Sequence, residues 1–209
     1  GNNALVVNST NNVGIGSSTP TYKLDVAGFI NTDMYSGFKQ EGHTILMASS
    51  TNFGTFVGQG AGRAVLADGT GNTALGYKAL LVATSTDSNT AIGGEALTAN
   101  TIGNQNTAIG NSAMLANITG NENVSVGYRS LRSNTYGNYN TSIGVTSLNL
   151  NTTGNNNISI GNLAMGTNIT GGSNVAVGNA ALRNNQSATS TVAIGYNAAA
   201  GGGSYSNQN

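Results

Sequence analysis

The chain has 209 residues, among them 31 Gly and no Cys or Trp, and its seven basic and seven acidic side chains leave a net charge of zero. Without a basic excess nothing displaces counterions from phosphates, and no apolar run is long enough to cross a membrane as a helix; nucleic-acid binding and membrane insertion are therefore excluded as functions of this segment. Disordered chains of low hydropathy normally carry high net charge, so a neutral chain rich in Asn, Thr, Ser and Gly is expected to be ordered by repetitive bonding among its polar groups, with no help from disulfides.

Gly1-Asn2-Asn3 reads as the cut edge of an excised fragment. Residues 1–53 hold the only proline, Pro20, and three stretches that alternate as strands, Ala4–Val7, Tyr22–Ile30 and Thr44–Ala48. They are expected to form a β segment or connector of their own. His43, the single histidine, has no second His or Cys near it and reads as a loop residue rather than a metal ligand or catalytic base.

From residue 54 onward a pentapeptide of the Asn-Thr-Ala-Ile-Gly type recurs. Its glycines from Gly76 through Gly93, Gly110, Gly127, Gly144, Gly161 and Gly178 to Gly195 are each 17 residues apart. Gly54-Thr-Phe-Val-Gly58 is an earlier copy, one residue out of phase because 76 − 58 is 18; the extra residue lies within Arg63 to Gly71 and is expected to bulge outward. Gly58-Gln-Gly-Ala-Gly62 looks like a phosphate loop, but it lacks the Gly-Lys-Ser/Thr ending and precedes no helical pattern, so it reads as a tight coil corner. A period this short marks a solenoid of one coil per repeat, covering residues 54–200 in about nine coils, with 201–209 as a flexible tail.

Counted from the first Asn, the repeat has Asn at the first and twelfth places, Ala or Ser at the third and eighth, Ile, Val or Leu at the fourth, Gly at the fifth and fifteenth, and Leu or Met at the ninth. Places two to four alternate as a strand, with Thr90 and Ile92 predicted to face inward and Ala91 outward. The fifth-place Gly permits a corner. Places eight and nine are predicted to form a second short strand, and Asn-x-x-Gly closes the coil as a turn. Stacking at ~4.8 Å would turn the Asn columns into two amide ladders and the Ile and Leu columns into a thin core. A core this thin needs further burial, and the predicted outward stripe of third-place Ala/Ser and fifth-place Gly suits close approach of another copy, so a cyclic oligomer is expected.

Asn89-Thr-Ala-Ile-Gly-x-x-Ala and its relatives resemble the Asn-Ser-Val-Ala-Ile-Gly-x-x-Ser repeats of trimeric autotransporter adhesin heads. The resemblance covers about residues 54–200, although the family's repeats are commonly shorter. It implies an all-β parallel solenoid, a left-handed β-roll, with three chains side by side in a homotrimeric rod. Asn12-Val-Gly-Ile-Gly-Ser-Ser-Thr-Pro-Thr-Tyr-Lys-Leu-Asp-Val-Ala-Gly28 is similar to a segment common in phage tail fibres and large bacterial surface proteins.

Candidate sites are few. Asp25, Asp33, Asp68 and Asp87 are scattered, and no serine has an apparent base partner, so no enzyme, metal or cofactor is expected. Eight Asn-x-Ser/Thr sequons, Asn8, Asn117 and Asn151 among them, read as accidents of composition rather than glycosylation sites. Surface binding is best placed at the sixth and seventh places, on Tyr77, Lys78, Tyr128, Arg129 and Tyr196, where aromatic rings suit a host carbohydrate or protein. The expected function is a structural and adhesive segment of an extracellular fibre, from a bacterial surface adhesin or a phage tail fibre. The alternative is an ice-binding solenoid, disfavoured here because the second-place column is mixed (Thr73, Thr90, Thr107, Val124, Thr141, Ile158, Val175) and reads as inward.

Overall fold

The computed structural model describes residues 5–27, 38–40, 43–49, 53–64 and 69–201. The chain divides into two compact units, Gly1–Asp33 and Met34–Asn209. In the first, β1 (Leu5–Val7) pairs antiparallel with β2 (Val13–Ile15), which pairs parallel with β3 (Leu24–Val26). Of the three predicted strands in residues 1–53, those beginning at Ala4 and Tyr22 are found in shorter form; residues 28–30 lie outside the described ones. β2 was not anticipated, because Gly14 interrupts its alternation.

The second unit opens with β4 (Phe38–Gln40) and β5 (His43–Ser49), so His43 begins a strand instead of sitting in a loop. β5 lies antiparallel on β6 (Gly54–Val57). From β6 the sheet is parallel through β7 (Thr73–Leu75), β8 (Thr90–Ile92), β9 (Thr107–Ile109), β10 (Val124–Val126), β11 (Thr141–Ile143), β12 (Ile158–Ile160), β13 (Val175–Val177) and β14 (Val192–Ile194). Each strand pairs with its equivalent 17 residues on, as Ala91↔Ala108 and Ser125↔Ser142. The chain is an all-β parallel solenoid with a 17-residue coil. The extra residue before Gly71 and the tail beyond residue 201 fall at least partly outside the described residues.

The interior corrects the predicted orientation. The third-place residue points in: Ala74, Ala91, Ala108, Ser125, Ser142, Ser159 and Ala176 are fully buried. Thr90 and Ile92 stay partly exposed on the other face of the strand. The physical reason is width. A coil of 17 residues closes around very little space, and the ninth-place Leu or Met together with two asparagines fills it, leaving room opposite for a methyl or hydroxymethyl group only. The first coil shows the same volume rule by exchange. Phe56 replaces the inward Ala, Gly62 stands where Leu80 stands in the next coil, and a Cβ on Gly62 would lie within 2.1 Å of the Phe56 ring.

The asparagines hold the stack. Asn89 donates from its backbone N–H and from Nδ2 to Asn72 Oδ1, at 3.0 and 3.1 Å, and Nδ2 also donates to the Gly103 carbonyl at 2.9 Å. This pattern repeats to Asn174 and ends at Thr191, whose N–H donates to Asn174 Oδ1 while its hydroxyl donates to the Thr189 carbonyl. Asp lacks the donor and Gln adds a methylene, so only Asn serves here. The twelfth-place ladder works the same way, with Asn117 Nδ2 donating to Asn100 Oδ1 at 2.7 Å and to the Gly120 carbonyl at 3.0 Å. It requires the fifteenth-place Gly, since a Cβ on Gly103 would stand 2.4 Å from Asn100 Oδ1. Where that Gly is absent the ladder is absent too: the coil of β7 has Ala83 and Thr86 in the two places. At Ala188 the ladder breaks, because Asn185 Oδ1 turns to the Ala188 N–H at 2.8 Å and leaves Asn168 Oδ1 unpartnered.

A third ladder, at the sixteenth place, escaped the sequence reading. Asn104, Asn121 and Asn138 N–H groups each donate to the Oδ1 of the residue 17 on, at 2.8 Å, ending on Asn155, and Asp87 N–H donates to Asn104 Oδ1 at 2.7 Å. The predicted second strand at places eight and nine is also absent. Turns occupy it, because the seventh and ninth places are left-handed: Glu95 and Leu97 have φ of 60° and 50°. Three consecutive coils carry inward serines, all buried: Ser125 and Ser142 donate their hydroxyls to the Ser130 and Ser147 backbone carbonyls, while the Ser130 and Ser147 hydroxyls pair with those of Ser142 and Ser159.

Candidate interaction surface

The outward side of the parallel sheet is built from two columns. The second place carries Thr73, Thr90, Thr107, Val124, Thr141, Ile158, Val175 and Val192; the fourth carries Leu75, Ile92, Ile109, Val126, Ile143, Ile160, Val177 and Ile194. Parallel pairing in register sets like residues above one another at ~4.8 Å. Because the inward position of each strand is taken by Ala or Ser, the larger apolar side chains stay out. Leu75 is 45% exposed, Ile143 39% and Ile158 42%. Single exposed apolar residues need no explanation, but an unbroken double column along eight strands is a contiguous patch of the kind that marks an interface.

The predicted interface is thereby corrected. The small-residue stripe does not face out. Its Ala and Ser are core, and its fifth-place glycines serve coil stacking: Gly110 has φ of +136°, and a Cβ there would meet the Gly127 carbonyl oxygen at 2.4 Å.

The sixth- and seventh-place residues form the edge that follows this face. Lys78 Nζ lies 4.9 Å from the centroid of the Tyr77 ring, and Arg129 stands over the Tyr128 ring at the same distance. The hydrogen-bonding Tyr77 hydroxyl, and after it Glu95, raise the Lys78 pKa above the ordinary lysine value. Tyr196 is exposed on the last coil. These residues share one column but do not converge: Tyr77 and Tyr128 are 51 residues apart and Tyr128 and Tyr196 are 68 apart, three and four coils respectively. At ~4.8 Å per coil the rings are too widely spaced to line one compact site.

Among the described residues there is no cluster of three or more His, Cys, Asp or Glu that could hold a metal, and no helix long and apolar enough to cross a membrane. Seven of the eight sequon asparagines (Asn117, Asn123, Asn140, Asn151, Asn157, Asn168 and Asn185) are ladder residues at most 2% exposed, so a glycan on any of them is incompatible with the stacked coils. Comparison with known proteins finds no matching family model, no matching curated protein and no matching solved structure.

Proposed function

We propose that this chain is a structural segment of an extracellular fibre, in which three copies pack side by side through their β-faces into a rod that spaces a tip from a surface. The observation that carries the reading is the exposed double column of Thr, Val, Ile and Leu on a solenoid whose own interior is already filled. The repeat's resemblance to trimeric autotransporter adhesin heads, and that of residues 12–28 to phage tail-fibre segments, supports three as the number of copies and a bacterial surface or a virion as the setting. A host carbohydrate or protein touching the flank would meet Tyr77, Tyr128 and Tyr196 with their neighbouring Lys78 and Arg129. Sedimentation equilibrium tests the assembly: three times the chain mass is expected, and a monomer at micromolar concentration removes the reading.

One observation favours a second reading. The Thr-bearing column points outward, opposite to its predicted direction, and is regularly spaced, so the face offers an ordered water-binding lattice of the kind an ice-binding solenoid uses. A trimer covers this face and a monomer displays it. Thermal hysteresis from a monomeric chain selects the second reading, and its absence from a trimer the first.

A further inference from the structure

Residues 185–201 lack the three side-chain devices that lock the coils before them. The ninth place is a buried Leu or Met from Leu80 to Leu182, but the next copy has Ala199 there, and it is exposed. The first place is Asn from Asn72 to Asn174, but the next copy has Thr191, which brings no carboxamide to add to its N–H bond on Asn174 Oδ1. The twelfth-place ladder stops one step earlier still. Asn168 Oδ1 and Asn185 Nδ2 are an acceptor and a donor in adjacent coils, both buried, and neither has a partner. Ala188 is the cause. In the regular coils the Asn Oδ1 fills the space that a Cβ on the fifteenth-place Gly would need, as Asn168 Oδ1 does beside Gly171. The Cβ of Ala188 takes that space, so the Asn185 amide turns and accepts from the Ala188 N–H.

What remains is backbone pairing. β14 lies on β13 in register, with the Gly195 N–H donating to the Val177 carbonyl at 2.8 Å and the Asn197 N–H to the Asn179 carbonyl at 2.9 Å. The middle of the stack makes the same bonds, Gly127 to Ile109 at 2.8 Å and Arg129 to Asn111 at 3.0 Å. The difference therefore lies in the side chains. In a stack where each coil rests only on its neighbours, the step with the least buried apolar surface and with unpaired buried polar groups opens first. The twelfth-place lapse near the other end is sheltered: the coil of β7 lies between β6 and β8 and keeps Asn72 and Leu80, both fully buried. We infer that residues 185–201 open as a unit of their own while residues 89–184 stay stacked, so that the locked part of the rod ends before its last strand.

Hydrogen exchange on the full chain tests this, with the comparison made inside one molecule and so independent of how copies associate. The Gly195 and Asn197 amides are expected to exchange roughly a hundredfold faster than those of Gly127 and Arg129. Equal protection of the two pairs overturns the inference. Simple fraying of a chain end is separated by repair. Ala188→Gly lets the Asn185 amide return to the ladder and is expected to slow Gly195 and Asn197 roughly tenfold, leaving Gly127 unchanged. Ala199→Leu is an independent repair, since Leu182 adopts the same left-handed ninth place at φ of 52° against 48° for Ala199, and it is expected to act in the same direction. If both variants leave the two terminal amides at their wild-type rates, the ladder and core lapses do not set the opening. If either slows Gly127 by the same factor as Gly195, the stack opens as one body, and the separate unit is overturned.

Discussion

Each strand of the solenoid has two faces that obey opposite rules. From β7 onward the inward face takes only Ala or Ser and is walled by amides, yet it is buried; the outward face takes Thr, Val, Ile and Leu, yet it stays open. In an ordinary half-buried sheet the larger apolar residues would be inside. The inversion teaches that two demands act on one strand. The inner face must let a narrow coil close and stack, which favours hydrogen bonds of fixed geometry over volume. The outer face bears the apolar area left over, and that area gains nothing until something covers it.

Breaking the inner face should have the largest effect. Asn123→Ala removes the acceptor for the Asn140 N–H and Nδ2 and the donors to Asn106 Oδ1 and the Gly137 carbonyl. With several buried groups left unpaired, a loss of at least about 3 kcal/mol is expected by chemical denaturation. Gly110→Ala follows at up to about 3 kcal/mol, because the substitution combines a backbone conformation closed to L residues with a clash against the next coil. On the outer face the expected signs differ. Ile143→Glu should leave the circular dichroism spectrum and the stability of the monomer within about 0.5 kcal/mol while abolishing self-association in sedimentation. The smallest effect tests the left-handed corners: Gln105, exposed at φ of 57°, replaced by Gly should change stability by less than about 1 kcal/mol, with the relief of strain offset by the freer unfolded chain.

The period, the strand and two of the amide columns were legible because they rest on residue types with a single use: Asn as donor and acceptor in one short side chain, Gly where φ near +135° and close carbonyl approach coincide. Three features were not legible, each for a physical reason. Alternation shows that Thr90 and Ile92 share a face but not which face, and the rule that places large apolar residues inside fails when the coil is too narrow. The left-handed seventh, ninth and seventeenth places are occupied by Lys, Glu, Leu, Met, Tyr and others, so no glycine announced them and Ala96-Leu97 looked like a strand. The third ladder sits on Asp87, Asn104, Asn121, Asn138 and Asn155, a column visible in the alignment of copies but hidden by Gly172 and Thr189 in the last ones. For the candidate surface, the tyrosines and cations of the edge were legible, while the apolar face beside them emerged only once the strands were oriented.

The central claim is that the outward columns are an interface between copies. Sedimentation equilibrium of the wild type beside I109E/I143E tests it most directly, since both positions are exposed on the face and neither supports the interior. A wild type at three times the chain mass and a folded, monomeric variant are predicted. A wild type that sediments as a monomer, or a variant that keeps the wild-type mass, contradicts the account.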